Sequence, residues 1–163
     1  SNKYYTFRWI IMDDIKFWGM KTFKSWAKDF IDYKIIGIDQ IGIDDFIGNY
    51  SDDEINDLIT DGYMSRAILR NFKQFAYDMK IGDLVVIGVG QMTKFNIHSI
   101  VKVVGEYERK QVGKNPRHYR RIELVNLPSS PIPYEEFNRL SRLEYLSKYD
   151  WTEMLDHIRQ SNI

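Results

Sequence analysis

The chain contains no cysteine, which removes disulfides and thiolate zinc sites together and leads to the expectation of a reducing, cytoplasmic setting. Histidine is almost as scarce, with three residues at scattered positions, so no histidine-based metal site is expected either. No apolar run approaches the roughly 18–20 residues of a membrane helix, and no basic-then-apolar leader is legible. Phosphate loops are missing as well. Gly88-Val89-Gly90 lacks the third glycine of a dinucleotide fingerprint, and there is no Gly-Lys-Ser/Thr segment. An excess of one charge is also lacking. Lys plus Arg and Asp plus Glu both number 23, and this balance speaks against non-specific coating of nucleic acid.

What remains is a chain of 163 residues with 44% hydrophobic and 28% charged side chains, enough to build a core. No repeat or linker interrupts it, so residues 1–163 are expected to form a single domain. The charges are segregated along it. Eight acids and no base lie between Asp39 and Asp61, whereas eight bases and two acids lie between Lys94 and Arg121. Either the basic stretch faces phosphates, or the two stretches are ordinary solvated faces with mixed neighbours in space.

Alternation over Tyr4–Ile11 predicts a strand, with Tyr5, Phe7, Trp9 and Ile11 on one side. Met20, Phe23, Ala27 and Phe30 recur at helical spacing, so Met20–Ile31 is expected to be a helix. Lys34–Ile38 follows as a short buried strand. Ser51 and Glu54 form a capping box, and Ser65 caps a second helix striped by Ile68, Phe72, Phe75 and Met79. Gly82-Asp83 turns the chain into a strand at Leu84–Val89, and further strands are expected at Asn96–Tyr107 and His118–Val125. Pro128, Pro131 and Pro133 are expected to end the sheet, leaving a helical extension over 134–161. Short apolar runs separated by polar residues suit an α+β fold with a small mixed β-barrel surrounded by helices.

Two kinds of chemistry are legible. Asp83 with Glu108-Arg109-Lys110 has the spacing of a Mg²⁺-dependent nuclease, two carboxylates for the metal and a lysine (Lys110) near the attacking water. Asp83 has a simpler reading as a turn residue. The second is stacking. Aromatic residues make up 15% of the chain, with Trp9, Phe17 and Trp18 close together, and rings of this kind stack exposed nucleobases. Trp26 and Trp151 sit in helical apolar stripes and are read as core.

Three segments carry a resemblance. Phe7-Arg8-Trp9-Ile10-Ile11 leads to Phe17-Trp18; Ile36-Gly37-Ile38-Asp39-Gln40-Ile41-Gly42 precedes Asp44-Asp45-Phe46; and Met79-Lys80-Ile81-Gly82-Asp83-Leu84-Val85-Val86 continues through Val103-Val104-Gly105-Glu106-Tyr107 to His118-Tyr119-Arg120-Arg121-Ile122. In order and spacing these resemble EVE-like domains of the PUA-like superfamily, in particular the N-terminal DNA-specificity domains of McrB-like restriction GTPases. The resemblance implies a PUA-like (EVE-type) barrel core over about 4–127. It implies a non-catalytic module that flips a modified base, N6-methyladenine or 5-methylcytosine, from DNA into an aromatic pocket. It also implies service to a fused McrB-like GTPase and its nuclease partner, with no cofactor or metal of its own. Trp9, Phe17, Trp18, Ile38, Asp39 and Gly90 are the implied pocket residues, Asp39 accepting a hydrogen bond from an exocyclic amine. Lys94, Arg109, Lys110, Lys114, Arg117 and Arg120 are the implied phosphate contacts. Ile38 stands where the family pattern has tryptophan. The alternatives are an RNA-binding PUA-like domain and the nuclease of Asp83, Glu108 and Lys110.

Overall fold

The computed structural model describes residues 14–110 and 117–161. The expected strand at Tyr4–Ile11, Trp9 and Lys114 lie outside the described residues. Strand β1 is Phe17–Lys21, followed by helix α1, Lys24–Tyr33, and strand β2, Ile35–Ile38. Helices α2, Asp52–Thr60, and α3, Arg66–Lys73, come next, and a π-helical turn at Gln74–Asp78 continues α3. Strands β3, Leu84–Val89; β4, Asn96–Val103; β5, Glu108–Arg109; β6, His118–Asn126; β7, Ile132–Pro133; and β8, Leu143–Leu146, precede the terminal helix α4, Lys148–Ser161.

The sheet runs β2-β6-β4-β3-β1-β8, with β5 added to β6 and β7 to β4. Among the described residues only β1 and β3 pair in parallel, Trp18 opposite Val85 and Met20 opposite Ile87. The outer strands of this path, β2 and β8, do not pair with each other, so the sheet is a curled, open half-barrel.

Its central strands are buried on both faces, which is why β3 reads as an almost unbroken apolar run. Trp18, Met20, Val85 and Ile87 pack on one face with Phe30 of α1 and Phe75 of the π-turn. Val86, Ile97 and Ile100 pack on the other with Trp151, Met154 and Ile158 of α4. A satellite cluster of Ile43, Ile47, Ile55, Met64 and Phe72 lies beneath α2 and α3.

Local chemistry sets the helix ends. Ser51 Oγ accepts the Glu54 N–H (3.1 Å) while Glu54 Oε1 accepts the Ser51 N–H (3.1 Å), the full reciprocal box at the start of α2. Ser65 caps α3 through the Ile68 N–H.

Three expectations need correction. Met20 and Lys21 end a strand, Phe17–Lys21, rather than begin the helix expected over Met20–Ile31, because the strand's side chains alternate between two buried faces; the helix starts only at Lys24. Ile132–Pro133 extends the sheet, Ile132 pairing with Ile97, as the short β7 at its margin. Leu143–Leu146 is a strand antiparallel to β1, so the tail is helical only from Lys148. The three-residue spacing of Phe137, Leu140 and Leu143 mimics a helix, although these side chains reach the core from a 3₁₀ turn, a loop and a strand.

Candidate functional site

Beside the carboxyl end of β2 lies a cavity of about 450 Å³, within the range of small-molecule sites. The turn from β1 into α1 supplies Thr22 and Phe23 to its wall; α1 adds Trp26, and the end of β2 adds Gly37, Ile38 and Asp39. Asn71 and Phe72 of α3 and the loops at 90–93 and 138–142 complete the lining. Trp26 is half-buried. Phe23 is 69% exposed at the mouth, its ring edge-on to the indole at 5.4 Å and 78°. The turn at 90 is one that glycine permits. Gly90 has φ +148, and a Cβ there would lie 2.5 Å from the Lys94 carbonyl oxygen.

Polar groups converge on this apolar pocket. The Asp39 carboxylate accepts the Gln40 N–H through Oδ1 at 2.9 Å, leaving Oδ2 without a partner among the described residues. The half-buried Asn71 amide likewise makes no hydrogen bond among them. At the rim, Lys21 Nζ donates to the Met92 carbonyl. Arg139 is paired with Glu144 (2.7 Å) and Asp150 (3.6 Å). Arg142 is exposed and has no ion pair among the described residues. The cavity wall therefore includes an indole, an amide, unneutralised positive charge and a carboxylate oxygen without a partner among the described residues. These are groups suited to a flat ring carrying N–H donors.

Of the residues expected to form a pocket, Ile38, Asp39 and Gly90 line this cavity. Phe17 and Trp18 do not. Phe17 stacks on Trp151 at 4.9 Å on the other face of the sheet. Trp18 is 0% exposed; Tyr145 covers its ring at 3.9 Å, and its Nε1–H donates to Asp83 Oδ2 at 2.9 Å. A ring buried and hydrogen-bonded in this way cannot receive a base. Trp26 is the indole that sequence reasoning missed, because its place in an apolar stripe reads as core. Its signal was position, in the first turn of a helix beside exposed Phe23.

The expected phosphate contacts disperse. Arg120 is 1% exposed, its guanidinium donating to the carbonyls of Gly105 (3.0 Å), Phe75 (3.2 Å) and Met79 (2.7 Å). Burial lowers its pKa from the usual arginine value. It ties β6 to the π-turn and cannot reach a phosphate. Arg109 binds the Asp44 carbonyl and pairs with Asp45 at 3.5 Å, and Arg117 pairs with Asp44, so part of the basic stretch is neutralised by the acidic one. Lys110 is exposed, and its N–H donates to the Arg117 carbonyl at 2.6 Å. Lys94 is exposed in the loop that walls the cavity.

The nuclease constellation is not assembled. Both oxygens of buried Asp83 are taken, Oδ1 by the Lys16 N–H and Oδ2 by Trp18 and the Lys80 N–H, while Glu108 pairs with Arg121 at 3.3 Å. Among the described residues no group of three or more histidine or acidic side chains is placed to hold a metal, and no helix is long and apolar enough to cross a membrane.

No curated protein matches the chain. Solved structures do. A hypothetical protein from Leishmania major superposes with a TM-score of 0.56 at 13% identity, covering 93% of this chain and 99% of that one. The YTH domain of the Zygosaccharomyces rouxii MRB1 protein, solved in complex with N6-methyladenosine RNA, gives 0.53 at 9% identity over 88% of this chain and 86% of that one. The Mmi1 YTH domain gives 0.51 at 9% identity over 90% and 89%. At such identities the likeness is one of fold, the fold that these YTH domains share. The family model described as Domain of unknown function (DUF8426) matches residues 18–152, and the chain belongs to that family.

Proposed function

We propose that this chain is a non-catalytic reader of a modified nucleobase, taken out of its strand into the cavity walled by Phe23, Trp26 and Ile38. The observation that carries the reading is that the half-buried Trp26 indole lines one cavity with an Asp39 oxygen and an Asn71 amide that have no hydrogen-bond partner among the described residues. Stacking on such a ring contributes about 1–3 kcal/mol per base. Asp39 would accept from the exocyclic amine that N6-methyladenine and 5-methylcytosine both retain, and Asn71 would pair with another polar edge atom. Burying one methyl group against Ile38 adds about 0.8 kcal/mol, roughly fourfold in affinity. Discrimination beyond that requires the modification to alter the fit or the hydrogen bonds. Lys21 and Arg142, which line the cavity, and Lys94 in the adjoining loop would hold flanking phosphates.

Residues 1–163 act in this reading as one binding unit. DNA as the target, and service to a McrB-like GTPase, follow from the sequence resemblance. RNA is the second reading, and the likeness to the MRB1 YTH domain favours it. Fluorescence anisotropy with DNA and RNA oligonucleotides bearing N6-methyladenine, 5-methylcytosine or no modification tests both. Preference for one modified oligonucleotide over its plain counterpart is expected, and equal affinity for every modified and plain pair would remove the reading.

A further inference from the structure

We propose that Met92 is the wedge that fills the gap left in a duplex when the base is flipped, so that the natural ligand is double-stranded. The inference rests on the base-reader assignment above and adds the residue that makes flipping from a duplex sustainable. Met92 lies in the loop between β3 and β4, beside the mouth of the cavity. It is 93% exposed, the most exposed large hydrophobic side chain among the described residues. Its backbone is in the left-handed region, φ 53, where a side chain other than glycine, asparagine or aspartate is seldom found. The Lys21 ammonium holds its carbonyl, tethering the loop to the end of β1.

An unbranched apolar side chain held outward at this position has no role in the core. Phe23 is the other exposed apolar group at the mouth, but its edge contact with Trp26 makes it a wall of the cavity. A flipped base leaves an empty slot between its former neighbours, and an apolar side chain inserted there recovers stacking contact. A ligand that is already single-stranded has no slot to fill, which separates the two cases.

The test compares the full chain with Met92→Gly and Met92→Leu on one modified sequence, presented as a duplex and as a single strand. Glycine suits φ 53, so Met92→Gly should fold at least as well as the parent, which a thermal melt verifies. The expected result is a loss about tenfold greater on duplex than on single strand for Met92→Gly, with Met92→Leu retaining the parental ratio. A 2-aminopurine placed next to the modified base should brighten with the parent and far less with Met92→Gly. Equal losses on both ligands, or a parent that binds only the single strand, would overturn the wedge while leaving the base reader intact. A parent that binds neither modified ligand better than its plain counterpart would overturn both.

Discussion

Trp26 and Arg120 sit in apolar and basic patterns that look alike in the chain and have opposite fates. Trp26 meets solvent across the cavity, so Trp26→Ala should weaken binding of the modified oligonucleotide by about 5- to 150-fold, the equivalent of one stacked base. Trp26→Phe should recover part of the loss. Anisotropy titrations measure both, and an unchanged affinity in Trp26→Ala would move the base elsewhere. Arg120 serves the fold instead. Replacing it by methionine would leave the carbonyls of Phe75, Met79 and Gly105 buried without their donor. We expect a loss of about 2–5 kcal/mol in urea denaturation. Arg120→Lys should not restore it, because one ammonium cannot span acceptors arranged for a planar fork. A change below about 0.5 kcal/mol would refute the structural role.

At the scale of elements, two devices order the segment that joins β2 to α3. The capping box of α2 is the simpler, and Ser51→Ala should cost about 1 kcal/mol in a chemical melt. The second is a hydrogen-bond chain that pins residues 43–47 to β6. The Ile47 N–H donates to Tyr107 Oη at 3.2 Å, the Tyr107 hydroxyl donates to His118 Nδ1 at 2.7 Å, and His118 Nε2–H donates to the Ile43 carbonyl at 2.7 Å. This arrangement requires neutral histidine. Burial pushes the Tyr107 phenol up to about 12, keeping it a donor throughout the physiological range, and burial holds His118 below its ordinary value of 6.5. The folded state therefore takes up this proton less readily than the unfolded state. Its contribution is complete above pH 6.5 and declines as the pH falls towards the depressed value. We expect Tm to drop as the pH falls below the ordinary histidine value of 6.5, and to drop less steeply in His118→Asn. Parallel profiles for the two proteins would exclude His118 as the cause.

For the whole molecule, the pairing of Arg109 with Asp45 and of Arg117 with Asp44, and the burial of Arg120, take away three of the six phosphate contacts expected from the sequence. Contacts from Lys21, Lys94 and Arg142 alone give a slope of log K against log salt of about −3 on DNA. The six cations expected from the sequence would give about −5. A salt titration distinguishes them, and a slope near −5 would return the basic stretch to the interface.

Features set by neighbours in the chain were legible without coordinates. The Ser51–Glu54 box, the Ser65 cap, the strand after Gly82-Asp83 and the short strand ending at Ile38 depend on hydrogen bonds and periodicities within a few residues, and they stand where the residues predict them. Ile38, Asp39 and Gly90 line the cavity, while Trp18, a pocket candidate by resemblance, is sealed by Tyr145 from a strand 127 positions away along the register. Which tryptophan meets solvent, which arginine is buried and which charges cancel depend on the packing of distant segments. Burial and electrostatics act through space, so local pattern determined the elements and tertiary packing decided which side chains remain free to bind.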